Sequence, residues 1–423
     1  MRESIVKGGR KKKIRVGVVG VGRGYGYAHA ADDLVGMELV ALCDVNAKGL
    51  AEAKKRFAAD GRKVSTYTDF DRFLAHDMDA VVLANYFHQH APFAVRALDA
   101  GKHVMSETSA CFTLAQGVRL IEAVERTGLT YMFAENSPYN AHSQEMRRIY
   151  RSGAVGQFVY GEGEYVHPDS AEYWNRISPG VDHWRNWIPA TYYCTHGVGP
   201  LMFITDAWPE KVNGFVMPYR TDDPVWQRRP LRNDAASVIM VRMTAGAVAK
   251  VIQYFLRGHG NWVRIHGSRG QMENLRHGNM RMLRVRREQY HEARTTPDEQ
   301  IYLPDFPVHH EAATHHAHGG GDFFMNYHFA EAIRKGRPPW MNVYRGVAMS
   351  IVGILAWRSA LEDSGTVVVP DLRRKRERDR YRDDDWSPEP TRDNPNRAPT
   401  SILGEVTPGR RAIEYARKVW RRR

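Results

Sequence analysis

The chain has 423 residues, 43% of them hydrophobic, which suits a soluble globular protein of two domains, each with enough material for its own core. No apolar run is long enough to cross a membrane, and the basic stretch at residues 1–13 precedes no signal-type apolar segment, so a cytoplasmic protein is expected. The net charge of +13 raises the question of nucleic acid, but no binding motif and no aromatic–basic interleaving accompany it, and none is expected as a partner. Cys43, Cys111 and Cys194 are far apart and imply neither a disulfide framework nor zinc spacing.

The first element is an apolar run, Val16, Val18 and Val19, that reads as a buried strand. It ends in the cluster Gly20-Val-Gly22-Arg23-Gly24, and a helix-compatible segment at residues 28–31 follows. Strand, glycine turn and helix start form a pyrophosphate site, because the backbone can approach the phosphates and the helix supplies free N–H groups. The next apolar run, residues 37–43, ends at Asp44, the right distance downstream for an acid that accepts both ribose hydroxyls and repels a 2′-phosphate. The expected cofactor is therefore NAD. In the sixth position of the glycine pattern stands Tyr25, with Gly24 and Gly26 on either side.

Strands are expected at residues 64–67, 79–84, 101–105 and 129–134, alternating with helices at 44–60, 69–75, 91–100 and 114–127; Gly128 fits the last helix's C-cap. That alternation predicts a doubly wound parallel sheet, whose ligands bind at the strands' carboxyl ends. The rule selects Asn85, His88 and His90, then Glu107, then Glu135 and Asn136. After Gly153, period-two stretches at 157–166, 237–243, 248–255 and 262–266 predict a mostly antiparallel sheet, and amphipathic helices are expected at 323–335 and 347–363. From Asp371 the chain is rich in Arg, Asp and Pro and carries roughly +6. Only residues 412–420 look helical there, and the tail is expected to be a solvated arm or to lie on a neighbouring subunit. The expected organisation is a basic arm (1–13), a Rossmann domain (14–135), an α/β substrate and oligomerisation domain (136–370) and a charged tail (371–423).

The glycine-rich start, Leu42-Cys-Asp-Val-Asn46, His88-Gln-His-Ala-Pro92 and Ala100-Gly-Lys-His-Val104 resemble the Gfo/Idh/MocA family of sugar-active, nicotinamide-dependent oxidoreductases. The resemblance extends to about Leu372 and implies a Rossmann domain, an open antiparallel sheet and a homo-oligomer. Many such dehydrogenases carry Glu-Lys-Pro where this chain reads Glu107-Thr108-Ser109, so the catalytic lysine is missing. Met132-Phe-Ala-Glu-Asn136, Tyr165-Val-His167, Trp184-Arg185, the stretch from Tyr193 to Pro200 and His318-Gly-Gly-Gly-Asp322 resemble one branch, the NAD-dependent glycoside hydrolases related to bacterial α-N-acetylgalactosaminidases.

That branch implies that Glu135, Arg185, Tyr193 and His196 lie at the sugar, that Tyr165 is a candidate base, and that a loop brings His318 to the pocket. From the residues alone, His196 is the group nearest working pH, Arg185 is a cation able to favour a phenolate on Tyr193, and Tyr165 or His167 is the second base. The implied reaction is oxidation of a sugar carbon, elimination of the glycosidic oxygen, water addition and re-reduction. An ordinary sugar or cyclitol dehydrogenase is the alternative, and a non-enzymatic nucleotide-binding scaffold the third reading. The histidine-rich stretch 309–318 lacks the four-residue ligand spacing of a helical zinc site, and no metal is expected.

Overall fold

The structure is a computed structural model describing residues 12–219, 222–258, 260–288, 298–316, 318–390 and 393–422. Most of the basic arm, residues 1–11, lies outside the described residues.

The first sheet is built from β1 (Ile14–Val19), β2 (Met37–Cys43), β3 (Ser65–Tyr67), β4 (Ala80–Leu83), β5 (His103–Ser106) and β6 (Tyr131–Phe133), in spatial order β3-β2-β1-β4-β5-β6. Every pairing is parallel. Between the strands run α1 (Tyr25–His29), α2 (Ala47–Ala59), α3 (Phe70–Leu74), α4 (His90–Asp99) and α5 (Leu114–Thr127). Polar caps set the starts: Asn46, Asp69 and Thr113 each accept a backbone N–H of the first turn of α2, α3 and α5. Gly128 closes α5 in the left-handed conformation, as its sequence position suggests. The first helix starts at Tyr25, three residues earlier than apolar periodicity indicates, because the glycine turn feeds it directly. The strand order reverses at β1/β4, so the carboxyl ends of these two strands open the crevice where such sheets bind ligands.

The second half begins with α6 (Ala141–Arg151), β7 (Phe158–Val166), α7 (Ala171–Ile177) and α8 (Thr195–Thr205). The strands β8 (Pro209–Met217), β9 (Ala236–Met243), β10 (Val248–Tyr254), β11 (Gly260–Gly267), β12 (Gly270–Asn274), β13 (Leu283–Arg287) and β14 (Glu299–Tyr302) follow. After α9 (His310–Thr314), α10 (Gly321–Lys335) and α11 (Val343–Leu361) comes β15 (Val367–Val368). The nine strands run β14-β13-β12-β11-β7-β10-β9-β8-β15, and only β7/β10 is parallel. Among the described residues this is the mixed, mostly antiparallel sheet expected.

Helix α11 is apolar nearly all round and sits in the core shared by both sheets. Its backbone comes so close to β8 that a Cβ on Gly214 would lie 2.1 Å from the Ala356 carbonyl oxygen. The far face of the large sheet is polar. Lys250, Glu162, Arg264, Glu273, Arg284 and Glu299 form a ladder of alternating charge across six strands.

The tail departs from expectation. It folds back on its own chain and adds two helices, α12 (Lys375–Tyr381) and α13 (Arg410–Arg421). Arg378 and Arg382 pair with Glu125 and Glu122 on α5, and Ala115 N–H donates to the Asp384 carbonyl. Ser401 Oγ and Ile402 N–H donate to Asp234, and Trp420 Nε1–H to the Asn175 carbonyl. The Arg-rich composition hid this because two of its arginines, Arg378 and Arg382, are matched to acids on the body, while others pair within the tail or face solvent.

Candidate functional site

The glycine turn joins β1 to α1. Gly20 has φ +87°, and a Cβ there would lie 2.3 Å from the Ala84 carbonyl oxygen at the end of β4. Only glycine fits that approach. At Gly22, by contrast, nothing lies within 4 Å of an added Cβ, so the turn is open on the side away from the sheet. Gly24 caps α1, and a Cβ there would meet the Gly20 carbonyl oxygen at 2.4 Å. Tyr25 is the first helical residue and stacks on Phe57 at 5.2 Å.

Asp44 follows β2 half-exposed, with Oδ2 accepting from Val21 N–H at 2.9 Å and Oδ1 from Asn46 N–H at 2.8 Å. These bonds hold it beside the glycine turn. Asn85 follows β4, and its buried Oδ1 has no partner. An open turn, a tethered carboxylate and an unsatisfied amide oxygen on one rim fit a dinucleotide. Bound there, NAD would supply a hydride acceptor and donor, with Gly20, Gly22 and Gly24 towards the phosphates and Asp44 towards the ribose.

Four other residues expected at the cofactor, Arg23, Glu107, His88 and His90, have protein partners. Arg23 Nε lies 2.6 Å from Glu107 Oε1, while its terminal nitrogens donate to both oxygens of Asp322 at 2.8 Å. Tyr27 Oη donates to the same Glu107 oxygen at 2.7 Å. Burial opposes the charge on Arg23, but Glu107, Tyr27 and Asp322 together hold its guanidinium firmly protonated. The network ties the glycine turn to the start of α10. His90 is buried, its ring nitrogens facing the carbonyls of Ser109 and Asn85 at 3.1 and 3.3 Å, so it braces two loops. Burial pushes His88 down to about 4, and its ring packs against Trp187 at 5.3 Å.

The residues expected at the sugar converge from four segments. Tyr165 and His167 share one face at the end of β7, with ring centroids 5.6 Å apart. Tyr193 stands just before α8, and His196 lies in its first turn; their rings are 5.1 Å apart. Tyr165 is 4.3 Å from His196 and 5.7 Å from Tyr193. Glu135, fully buried after β6, places Oε1 2.6 Å from His196 Nδ1, and Oε2 has no partner. Phe87 and Trp184 stack on Tyr193 at 5.8 and 6.2 Å. Because Phe87 belongs to the loop after β4, the cofactor rim and the sugar cluster share a wall.

Arg185 is stacked on Trp184 at 4.2 Å. Burial acts against its charge, but Tyr193, Tyr254 and Tyr165 hold it above the usual arginine range. The expectation that Tyr165 serves as a base meets an obstacle in its surroundings. Burial comes first there, reinforced by Tyr193, and outweighs Arg185, so the hydroxyl is pushed well above the ordinary tyrosine range. His318 is half-exposed at the start of α10, with Nδ1 3.0 Å from Asp322 Oδ2. It therefore touches the cofactor-side network, while Asn136 sits against Gly321 of α10. The rest of the histidine-rich stretch disperses, and among the described residues no group of three or more His, Cys, Asp or Glu side chains converges for a metal. All three cysteines are free and buried.

Sequence reasoning missed Tyr254 and Arg229. Tyr254 ends β10 with φ +95° and packs on Tyr193 at 5.4 Å, yet in sequence it is one more aromatic in a strand. Arg229 belongs to no motif. Asp322 lies inside the quoted glycine motif, but its partner Arg23 is 299 residues away.

A parallel sheet with an open glycine turn, and a His–Glu–Tyr cluster across one wall from it, define a nucleotide-dependent enzyme of the Rossmann class. Residues 14–135 match the oxidoreductase family with the NAD-binding Rossmann fold, Gfo/Idh/MocA, and residues 256–378 match the glycosyl hydrolase 109 C-terminal domain. The chain thus carries both parts that the sequence motifs resemble. It is 25% identical over 397 residues to glycosyl hydrolase family 109 protein 1 of Shewanella sp. strain ANA-3, with 85% of each chain covered. It is also 25% identical over 395 residues to the α-N-acetylgalactosaminidase of Shewanella oneidensis, again with 85% of each covered. Among solved structures, an oxidoreductase domain protein from Kribbella flavida superposes with a TM-score of 0.71 at 20% identity, covering 85% of this chain and all of that one. Levoglucosan dehydrogenase in complex with NADH and L-sorbose gives 0.69 at 20% identity, covering 85% and 99%. These two carry the fold comparison alone.

Proposed function

We propose that this protein is an NAD-dependent carbohydrate-active enzyme that cleaves a glycosidic bond without net redox change. The observation that carries the reading is the buried His196–Glu135 pair beside Tyr165 and Tyr193, one aromatic layer from the nucleotide rim. Held by Gly20, Gly22, Gly24 and Asp44, NAD would supply the acceptor for a hydride from a sugar ring carbon and the donor for its return.

The chain's own residues handle protons and position. Glu135 fixes the His196 ring through Nδ1, which leaves Nε2 to accept the proton of the sugar hydroxyl being oxidised. Arg185 and the tyrosine hydroxyls orient that hydroxyl and stabilise the oxyanion that develops on it. Once the carbon is a ketone, the neighbouring C–H is acidic, and His167, on the same strand face as Tyr165, is the group assigned to remove it. Tyr165, kept protonated by burial, acts as the hydrogen-bond donor. The glycosidic oxygen leaves, water adds, and the ketone is reduced again. The absence of a lysine at Thr108 agrees with a site that does not rest on a single ammonium to polarise an alcohol.

The reading extends to a cytoplasmic homo-oligomer. Val159, Phe215 and Val368, each more than half exposed on strands of the large sheet, support a subunit contact there, and sedimentation velocity tests it.

The deciding experiment is product analysis over a panel of glycosides and free sugars with NAD far below the substrate. Free sugar released in large excess over NAD, with no net NADH, is expected. NADH accumulating with a keto product and no glycoside cleavage identifies a dehydrogenase and overturns the proposal.

A further inference from the structure

Arg229 lies in the loop between β8 and β9 and is 2% exposed. Its Nε, Nη1 and Nη2 all lack a hydrogen-bond partner. Its guanidinium rests over Phe255 at 4.6 Å and Trp174 at 5.1 Å, and among the described residues no carboxylate pairs with it. Cation–π contacts are small beside the cost of burying an unpaired charge. Burial lowers its pKa from the usual value, but an arginine remains protonated at neutral pH, so the charge persists.

The groups acting on it electrostatically are the Tyr219 and Tyr254 hydroxyls and, repelling it, Arg185. Arg185 in turn faces Tyr193, Tyr254 and Tyr165. Two guanidinium groups therefore share Tyr254 as a neighbour, and through Arg185 they adjoin the Tyr165 and Tyr193 hydroxyls. Trp174 Nε1, on the ring that lies under Arg229, is likewise buried without a partner among the described residues. Tyr254 is in the left-handed region at φ +95°, strain of the kind that collects at ligand sites. Buried donors and charges left unmet in this number call for a ligand that meets them.

We infer that Arg229, with Arg185, forms an anion subsite of the sugar pocket, and that the substrate glycoside bears an oxyanion, either the carboxylate of a uronic acid or a sulfate ester. This deepens the carbohydrate reading above and rests on it. An oxyanion presents acceptors to the guanidinium fork and to the tyrosine and indole donors, and it neutralises the stranded charge. A neutral sugar leaves that charge in place.

The test uses the full-length, NAD-loaded protein and isothermal titration at pH 7 in low salt. The probes are D-galacturonate and D-glucuronate, D-galactose and D-glucose, and D-galactose 6-sulfate. Acidic sugars are expected to bind on the order of 10- to 100-fold more tightly than their neutral counterparts. Arg229→Gln is expected to bring that ratio below threefold, and Arg229→Lys to keep part of it; melting curves recorded alongside check folding. The sulfate arm distinguishes a sulfate ester from a uronate. Equal binding of acidic and neutral sugars by the wild type overturns the subsite without any variant, as does a preference that survives Arg229→Gln. If acidic sugars bind through Arg229 but no glycoside is cleaved, the subsite stands and the cleavage reading falls. If neutral glycosides are cleaved and acidic ones ignored, the reverse holds. Binding of no sugar at all overturns both.

Discussion

Replacing Asp322 by Asn tests the link between the glycine turn and α10. Burial by itself would raise the Asp322 carboxyl, but hydrogen bonds from His318 and Arg23, and the Arg23 charge, hold it at about 2 against 3.8 for a free group. Asp322 is only 1% exposed, so little solvent screening applies. The displacement corresponds to about 2.4 kcal/mol of stability at neutral pH. An unfolding entropy of ~2.1 cal/mol/K per residue makes roughly 0.9 kcal/mol per degree for this chain, so Asp322→Asn is expected to lower Tm by about 3 °C. Arg23 keeps Glu107 as a partner in the variant, which is why the larger loss of a stranded buried charge is not expected. The sign with pH follows from the depressed value. The stabilisation is complete above about pH 4 and disappears as pH falls towards 2, so the gap between wild type and variant narrows on acidification. Scanning calorimetry of both proteins from pH 7 down to pH 3 measures it. A Tm unchanged within 1 °C at pH 7, or a gap that widens in acid, refutes the reasoning.

Further perturbations probe the remaining parts. Gly20→Ala, strained at φ +87° and clashing with Ala84, is expected to reduce folded yield as well as NAD affinity, whereas Gly22→Ala, with open space around it, should weaken NAD binding at unchanged Tm; nucleotide titration with melting curves separates the two. Asp44→Ala removes the acid at the ribose end and should narrow the preference for NAD over NADP by about tenfold or more, read from the two dissociation constants. Glu135→Gln leaves His196 without its carboxylate partner and should lower kcat by about 10²-fold or more, measured as sugar released, while the variant still binds NAD. Truncation after residue 385 exposes Asp234, Asn175 and Trp357, which bond tail residues, and is expected to make the 226–235 loop newly sensitive to limited proteolysis.

The parts of this molecule that could be read from sequence are those with a local cause. The parallel sheet was legible because each strand is a short apolar run with a helix after it, and Asn46, Asp69, Thr113 and Gly128 punctuate the helices within a few residues. Helix α8 was not, because its eleven residues are all buried and it has no polar face to mark a period. The candidate site residues were named through motif resemblance; strand alternation placed Tyr165 and His167 on one face but did not say which face carries function. The Arg23–Asp322 link, the strained Tyr254 and the stranded Arg229 were invisible because each depends on partners, or on their absence, across segments far apart in sequence. The tail misled because composition reports charge but not where the countercharges are: Glu122 and Glu125 lie some 250 residues upstream of their arginines.

That tail also fixes an order of manufacture. Its last segments hold Arg232, Asp234 and Asn175, the loop and helix surrounding Arg229 and Trp174. The nucleotide-binding sheet is complete at residue 133, so at ~5–20 residues per second a ribosome needs roughly 15–60 s more to deliver the piece that closes the other wall. During that interval the first sheet exists without the tail contacts that hold the loop and helix around Arg229 and Trp174. Loss of residues 400–420 therefore removes the supports of the loop and helix around Arg229 and Trp174, although those residues lie some 170 to 250 positions away in sequence.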